Sequence, residues 1–145
     1  MLNQVRRAVT LIEILVVIII IGILAALALP NLSTMRERTF DQEAKTNLKL
    51  IQAAQKIYKM EEGFYYHYTG TGGTAGINNM LKLFLPTGDK RNWDYTSAGG
   101  ADNFTAKAIR YNPPSNWDRT WTVTKDDTVE PTCSESLPPG ACPSP

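Results

Sequence analysis

Hydrophobic and polar positions divide the chain into three regimes. From Val9 to Leu29 it reads VTLIEILVVIIIIGILAALAL, apolar apart from Thr10 and Glu13. As a helix this run rises about 31 Å, matching a bilayer hydrocarbon core of about 30 Å. Beyond Pro30 the pattern turns amphipathic: Phe40, Ala44, Leu48, Ile51, Ala54 and Tyr58 recur at helical spacing and form one apolar face. Arg36, Arg38, Asp41, Glu43, Lys45, Lys49 and Lys56 are assigned to the remaining surface. Gly63, after Glu61 and Glu62, is the expected stop. Pro30 takes away the hydrogen bond to the Ala26 carbonyl and predicts a bend, and Gly22 is a second weak point. The predicted helix runs from about Val9 to Met60, roughly 78 Å in all.

The third regime is short and alternating. The stretch TGTGGTAG from Thr69 to Gly76 reads as flexible loop, and Asn78–Leu85 as a short helix ending at Pro86. Three strands are predicted: Asn92–Ser97, Phe104–Tyr111 and Thr120–Lys125. Trp93/Tyr95, Phe104/Ala106/Ala108 and Trp121/Val123 give the alternation of a half-buried antiparallel sheet. Gly99-Gly100 and Pro113-Pro114 supply the connections. The fold class is therefore α+β, a long N-terminal helix against a small antiparallel sheet.

Composition narrows the chemistry. The chain has 145 residues and a formal net charge of +1, so one small domain is expected and broad nucleic-acid binding has no electrostatic basis. Cys133 and Cys142 lie close together near the C-terminus, and in a small exported domain such a pair forms a disulfide. His67, the sole histidine, has no identifiable catalytic partner in a loop rich in glycine and tyrosine, and reads as a surface residue. The glycine-rich loop lacks the lysine-serine or lysine-threonine ending of a phosphate-binding loop. Asp126 and Asp127 are calcium candidates through their carboxylate oxygens, against the plainer reading of an unliganded turn. The tyrosine cluster near Phe64 and the three tryptophans read as core or subunit contacts, with sugar binding or electron conduction as alternatives. Neither an enzymatic activity nor a cofactor is expected.

Position settles the membrane segment further. Arg6 and Arg7 precede the apolar run and no basic residue follows before Arg36, which places Met1 in the cytoplasm and the C-terminal domain across the membrane. A secretory signal fits the basic start, but its apolar core runs only about 7–15 residues. A plain anchor fits the length and leaves Glu13 unexplained, since a carboxylate in a spanning helix is costly and usually has a role.

The string around Glu13 closely resembles the N-terminus of type IV pilins and type II secretion pseudopilins. That resemblance implies a cut between Ala8 and Val9 by prepilin peptidase, N-methylation of Val9, and Glu13 as the family's glutamate at the fifth mature position. Gly22 and Pro30 fall at the family's positions too. Ala8 and Val9 stand where the family usually has glycine and phenylalanine. The implied organisation is a leader over residues 1–8, a membrane and assembly helix over 9–29, an amphipathic helix over 30–62, and a head over 63–145 closed by the disulfide.

The resemblance implies a filament subunit that self-assembles. It waits in the inner membrane, surrounded by lipid, until an assembly platform powered by a cytoplasmic ATPase extracts it, and it then resides in a filament in the periplasm or at the cell surface. Glu13 would pair with the Val9 amine of a neighbouring subunit. The reading is a pilus-like filament. A secretion pseudopilin that drives protein export is the alternative, and a membrane-anchored monomeric binding module a second one.

Overall fold

A computed structural model describes residues 9–28, 32–68, 73–113, 117–126, 130–135 and 142. The chain forms two compact units, Met1–Glu37 and Arg38–Pro145. The elements are helix α1 (Leu11–Ala28), helix α2 (Leu32–Glu62), helix α3 (Gly73–Leu81), and strands β1 (Trp93–Gly99), β2 (Phe104–Arg110), β3 (Arg119–Thr124) and β4 (Thr132–Glu135). Pro30, the predicted bend, lies outside the described residues.

In the first unit, α1 starts on a cap. The Glu13 N–H donates to the Thr10 carbonyl at 3.1 Å and to Thr10 Oγ1 at 3.3 Å, so the threonine satisfies donors that an opening helix leaves unpaired. Gly22 is helical, and a Cβ there would meet nothing within 4 Å. The glycine is therefore not required by packing within the chain.

The second unit is built on α2. Its predicted stripe is the buried face: Ala44, Leu48 and Ile51 are fully buried, with Phe40, Ala54 and Tyr58 packed beside them. The helix ends where glycine predicts it, with Gly63 at φ 86° and its N–H on the Lys59 carbonyl at 2.9 Å. The four strands pair in sequence order, all antiparallel. The register aligns Tyr95, Ala108, Trp121 and Cys133 in one row across the sheet. Alternation puts Trp93, Tyr95, Phe104, Ala106, Ala108, Trp121 and Val123 into one core with the α2 stripe. Ala108 stands between Tyr95 and Trp121 on the neighbouring strands, so a small residue leaves room for two large ones.

Polar side chains on the same helix face fix the helix against the sheet. Trp93 Nε1 donates to the Phe40 carbonyl at 2.8 Å, and Asn47 Nδ2 donates to the Tyr95 hydroxyl at 2.8 Å. Burial pushes the Tyr95 hydroxyl well above its usual range. Gln55 is fully buried: its amide donates to Ser97 Oγ at 2.7 Å and to the Tyr66 carbonyl at 2.9 Å, and its oxygen accepts the Tyr66 N–H at 2.8 Å. One side chain thus ties the chain leaving α2 to the first strand.

Three expectations are corrected. The short helix is Gly73–Leu81, not Asn78–Leu85, so the end of the supposed flexible loop is helical. Its glycines serve close approach. A Cβ on Gly73 would lie 2.8 Å from the Tyr95 carbonyl oxygen, and one on Gly76 would strike the Tyr68 ring. Thr74 Oγ1 accepts the Tyr95 N–H at 3.0 Å, and the Tyr68 N–H donates to the Ser97 carbonyl at 3.0 Å, so this segment covers the open edge of β1. The helix stops at Lys82, held at φ 54°, with the Leu83 N–H reaching back to the Asn78 carbonyl at 3.0 Å.

A fourth strand, β4, was not predicted, because its four residues TCSE carry no apolar alternation. Asp41, finally, belongs to the core rather than the surface. It is buried on the stripe side of α2, where its Oδ1 accepts Arg119 Nε at 2.6 Å and Trp121 Nε1 at 2.9 Å. Arg119 is itself fully buried between the Trp93 and Trp117 rings, at 5.3 and 5.4 Å, and donates to the Trp117 carbonyl at 3.1 Å.

Candidate assembly segment and head surface

Among the described residues, the feature that no packing within the chain explains is α1. Its side chains from Leu11 to Ala26 are all exposed, although only Glu13 among them is charged. An exposed apolar surface of this size in water marks a binding surface, and the sequence repeats it over every face of the helix. Within the described side chains, which end at Ala26, no helix is long and apolar enough to cross a membrane. The apolar run in the sequence continues beyond them to Leu29.

Glu13 sits in the first turn of α1, two residues inside its start at Leu11. A carboxylate there faces the unpaired N–H groups and the positive end of the helix dipole. The Val9 backbone lies immediately before the cap, so an amine generated at Val9 would be delivered next to the same helix end. Ala8, on the other side of the expected cut, lies outside the described residues, as does Pro30. Gly22 lies midway along α1, in regular helix.

Among the described residues the head offers an open groove of about 760 Å³ between α3, the outer face of β1 and the turn before it, lined by Tyr68, Arg91, Asp94, Thr96 and Ile109 among others. Arg91 and Asp94 are paired through two contacts, at 2.6 and 3.3 Å, and the guanidinium lies 3.6 Å from the Tyr111 ring centre. The Asp94 hydrogen bond raises the Arg91 pKa further above its usual range. A neutralised pair on an open wall holds no unspent charge for a ligand.

Cys133 and Cys142 form a disulfide with Cα atoms 5.9 Å apart. Cys133 lies in β4, and so the bond fastens the strand at the sheet edge. The segment before β4 is tied to α2 through Lys45 Nζ and Glu130 Oε2 at 2.6 Å, and this lysine holds the Glu130 carboxyl below its usual range. His67 is exposed, and its Nδ1 accepts the Gly99 N–H at 3.1 Å. Asp126 is an exposed residue in the turn after β3, while Asp127 lies outside the described residues. No three histidine, cysteine or acidic side chains gather around one point among the described residues.

The aromatic residues divide by location. Tyr65 packs on Phe104 with ring centres 4.9 Å apart, and Tyr58 meets Phe64 and Tyr66 edge-on at 5.9 and 5.7 Å. Sequence reading missed the Asp41–Arg119–tryptophan cluster entirely. Its members are far apart in the chain, and the sole local hint is an acidic residue one position after Phe40 on the apolar stripe.

Known proteins resemble this chain in sequence over part of its length. The family model described as the prokaryotic N-terminal methylation motif matches residues 3–29. The chain is 44% identical over 73 residues to the type IV major pilin protein PilA of Myxococcus xanthus, covering 50% of this chain and 33% of that one. It is 39% identical over 77 residues to the type II secretion system core protein G of Escherichia coli, covering 53% and 50% of the two chains. Against the core protein G of Pseudomonas aeruginosa the identity is 37% over 87 residues, covering 59% and 56%. The chain therefore spans between a third and just over half of the length of these relatives. It carries the prokaryotic N-terminal methylation motif over residues 3–29, and its described residues form an α+β fold.

Proposed function

We propose that this chain is a structural subunit of a type IV pilus-like filament. Prepilin peptidase cuts between Ala8 and Val9 and methylates the new amine of Val9. The subunit is held in the inner membrane by residues 9–29, with its head outside, until an ATP-driven assembly platform extracts it. The observation that carries this reading is α1, apolar on every face and exposed on every face, with its lone charge at the start. Lipid covers such a helix before assembly, and neighbouring helices cover it afterwards, at roughly 25 cal/mol for each Å² of apolar surface that stays out of water.

Glu13 then sets register. Buried among apolar helices, it is stable only opposite the Val9 amine of a neighbour, because breaking a buried pair costs several kcal/mol and a shifted register breaks it. Gly22 and Pro30 mark the stretch that extends or melts as the filament forms. A second reading, a pseudopilin of a type II secretion system, is favoured by the similarity to core protein G over 53% of the chain.

Shearing separates the possibilities. A pilus subunit is released from cells as filaments, a pseudopilin stays largely with the cell, and an anchored monomer remains wholly in the membrane fraction. Glu13→Leu is expected to leave the chain in membranes and to remove it from sheared filaments by at least about tenfold, the equilibrium effect of losing a little over 1 kcal/mol. Undiminished filaments from Glu13→Leu would sink the role given to Glu13, and a chain never recovered in filaments of any length would sink the filament reading.

A further inference from the structure

Helix α2 carries a second face. Opposite the buried stripe, Leu50, Ala53, Ile57 and Met60 are all exposed, and their spacing of three, four and three is that of the a and d positions of a heptad. The same line continues one step toward the helix start through Thr46, exposed and uncharged, and ends at Glu43, which is half-buried and accepts Asn92 Nδ2 at 2.8 Å. Charged residues stand on the two borders of this strip. Lys56 lies on one border and Glu61 on the other, both exposed. With Leu50 and Ile57 at a, these two occupy the g and e positions.

The spacing selects an orientation. In a parallel pair of helices the g residue of one copy meets the e residue five places later in the other. Lys56 then faces Glu61, twice per pair. In an antiparallel pair like borders meet, so lysine would oppose lysine and glutamate glutamate. The face is complementary to itself in the parallel sense alone.

We propose that this face of α2 docks a second copy of the same chain, parallel and in register. Parallel alignment is also what subunits anchored through the same end in one membrane impose, and to that extent the inference rests on the function proposed above. A seam of two heptads is weak between free molecules, but subunits confined to a bilayer meet at high effective concentration. The dimer is then a state of the membrane-held subunit, formed before or alongside filament growth.

Cysteine crosslinking of the full chain in detergent micelles tests the contact without requiring filaments or processing. Both native cysteines are in the disulfide, so an added thiol reports alone. Ala53→Cys lies in the seam, and Lys107→Cys on the exposed side of β2 is the control. Under mild oxidation Ala53→Cys is expected to give a covalent dimer and Lys107→Cys only background. Adding Lys56→Glu should lower the Ala53→Cys dimer by about tenfold, through two lost attractions and two new repulsions, and Glu61→Lys in the same chain should restore it. Ala53→Cys crosslinking no better than the control overturns the proposal. So does a yield indifferent to Lys56→Glu, or one that Glu61→Lys does not restore. Failure of shearing or of processing, by contrast, bears on the proposed function alone.

Discussion

Arg119→Met is expected to destabilise the head by about 3–5 kcal/mol, the cost of leaving a buried charge without its partner. Arg119 is fully buried and its Nε lies 2.6 Å from Asp41 Oδ1, with the same oxygen also accepting Trp121 Nε1. Removing the guanidinium strands a carboxylate in the core and empties the slot between Trp93 and Trp117. Against a total stability of about 5–15 kcal/mol, that is a large share. Arg119→Lys does not repair it, because an ammonium cannot lie flat between two rings while bonding both Asp41 and the Trp117 carbonyl. The double change Asp41→Leu with Arg119→Met is expected to recover part of the loss, since an apolar pair needs no desolvation while the Trp121 Nε1–H loses its acceptor. Urea unfolding of the full chain in micelles, followed by tryptophan fluorescence, reads the effect as a lowered midpoint at unchanged slope. A double variant no more stable than Arg119→Met would show that the pair is not what is being lost.

The second large effect lies at the sheet edge. Replacing Cys133 and Cys142 with serine is expected to cost about 2.5–3 kcal/mol in the chain-entropy model for so short a loop. The loss should be local before it is global. β4 pairs with β3 alone, through a register from Arg119↔Glu135 to Thr122↔Thr132, and has no neighbour on its far side among the described strands. Without the disulfide, its ties among the described residues are that ladder, the long hydroxyl contacts of Thr132 and Ser134 with Thr122 and Thr120, the packing of Cys133 on the core and, ahead of it, the surface pairing of Lys45 and Lys49 with Glu130, which contributes at most about 1 kcal/mol. Hydrogen exchange should therefore show β4 amides losing protection while the β1–β2 ladder keeps it. Equal loss of protection across all four strands would contradict this division.

What could be read in advance follows the range of the signals. The α2 stripe was legible because Ala44, Leu48 and Ile51 repeat at the helical period, and β1 to β3 because Trp93/Tyr95 and Trp121/Val123 alternate. Gly63 was legible as a stop because glycine alone adopts φ 86° without cost. Asp41 was misplaced because its partners lie on β3, and nothing near Asp41 in the chain announces a buried arginine. Gly73 and Gly76 were misread because a glycine needed for close approach looks the same in sequence as one in a mobile loop. Strand β4 was missed because a short edge strand is defined by its neighbour rather than by its own residues. The second face of α2 was hidden by counting charges rather than placing them: Lys49 and Lys56 border the strip, and Leu50 and Ile57 fill it. At the N-terminus, Glu13 stood out because one carboxylate in a wholly apolar run has few physical explanations.

The central claim is that Val9 becomes the first residue of the working subunit, and mass spectrometry of the N-terminus of membrane-extracted native protein measures it directly. A chain beginning at N-methylated Val9 is the predicted result, since both the Glu13 pairing and the extraction into a filament depend on that amine. An intact Met1, or a chain beginning near Leu29, would contradict the account and leave an anchored or secreted domain in its place.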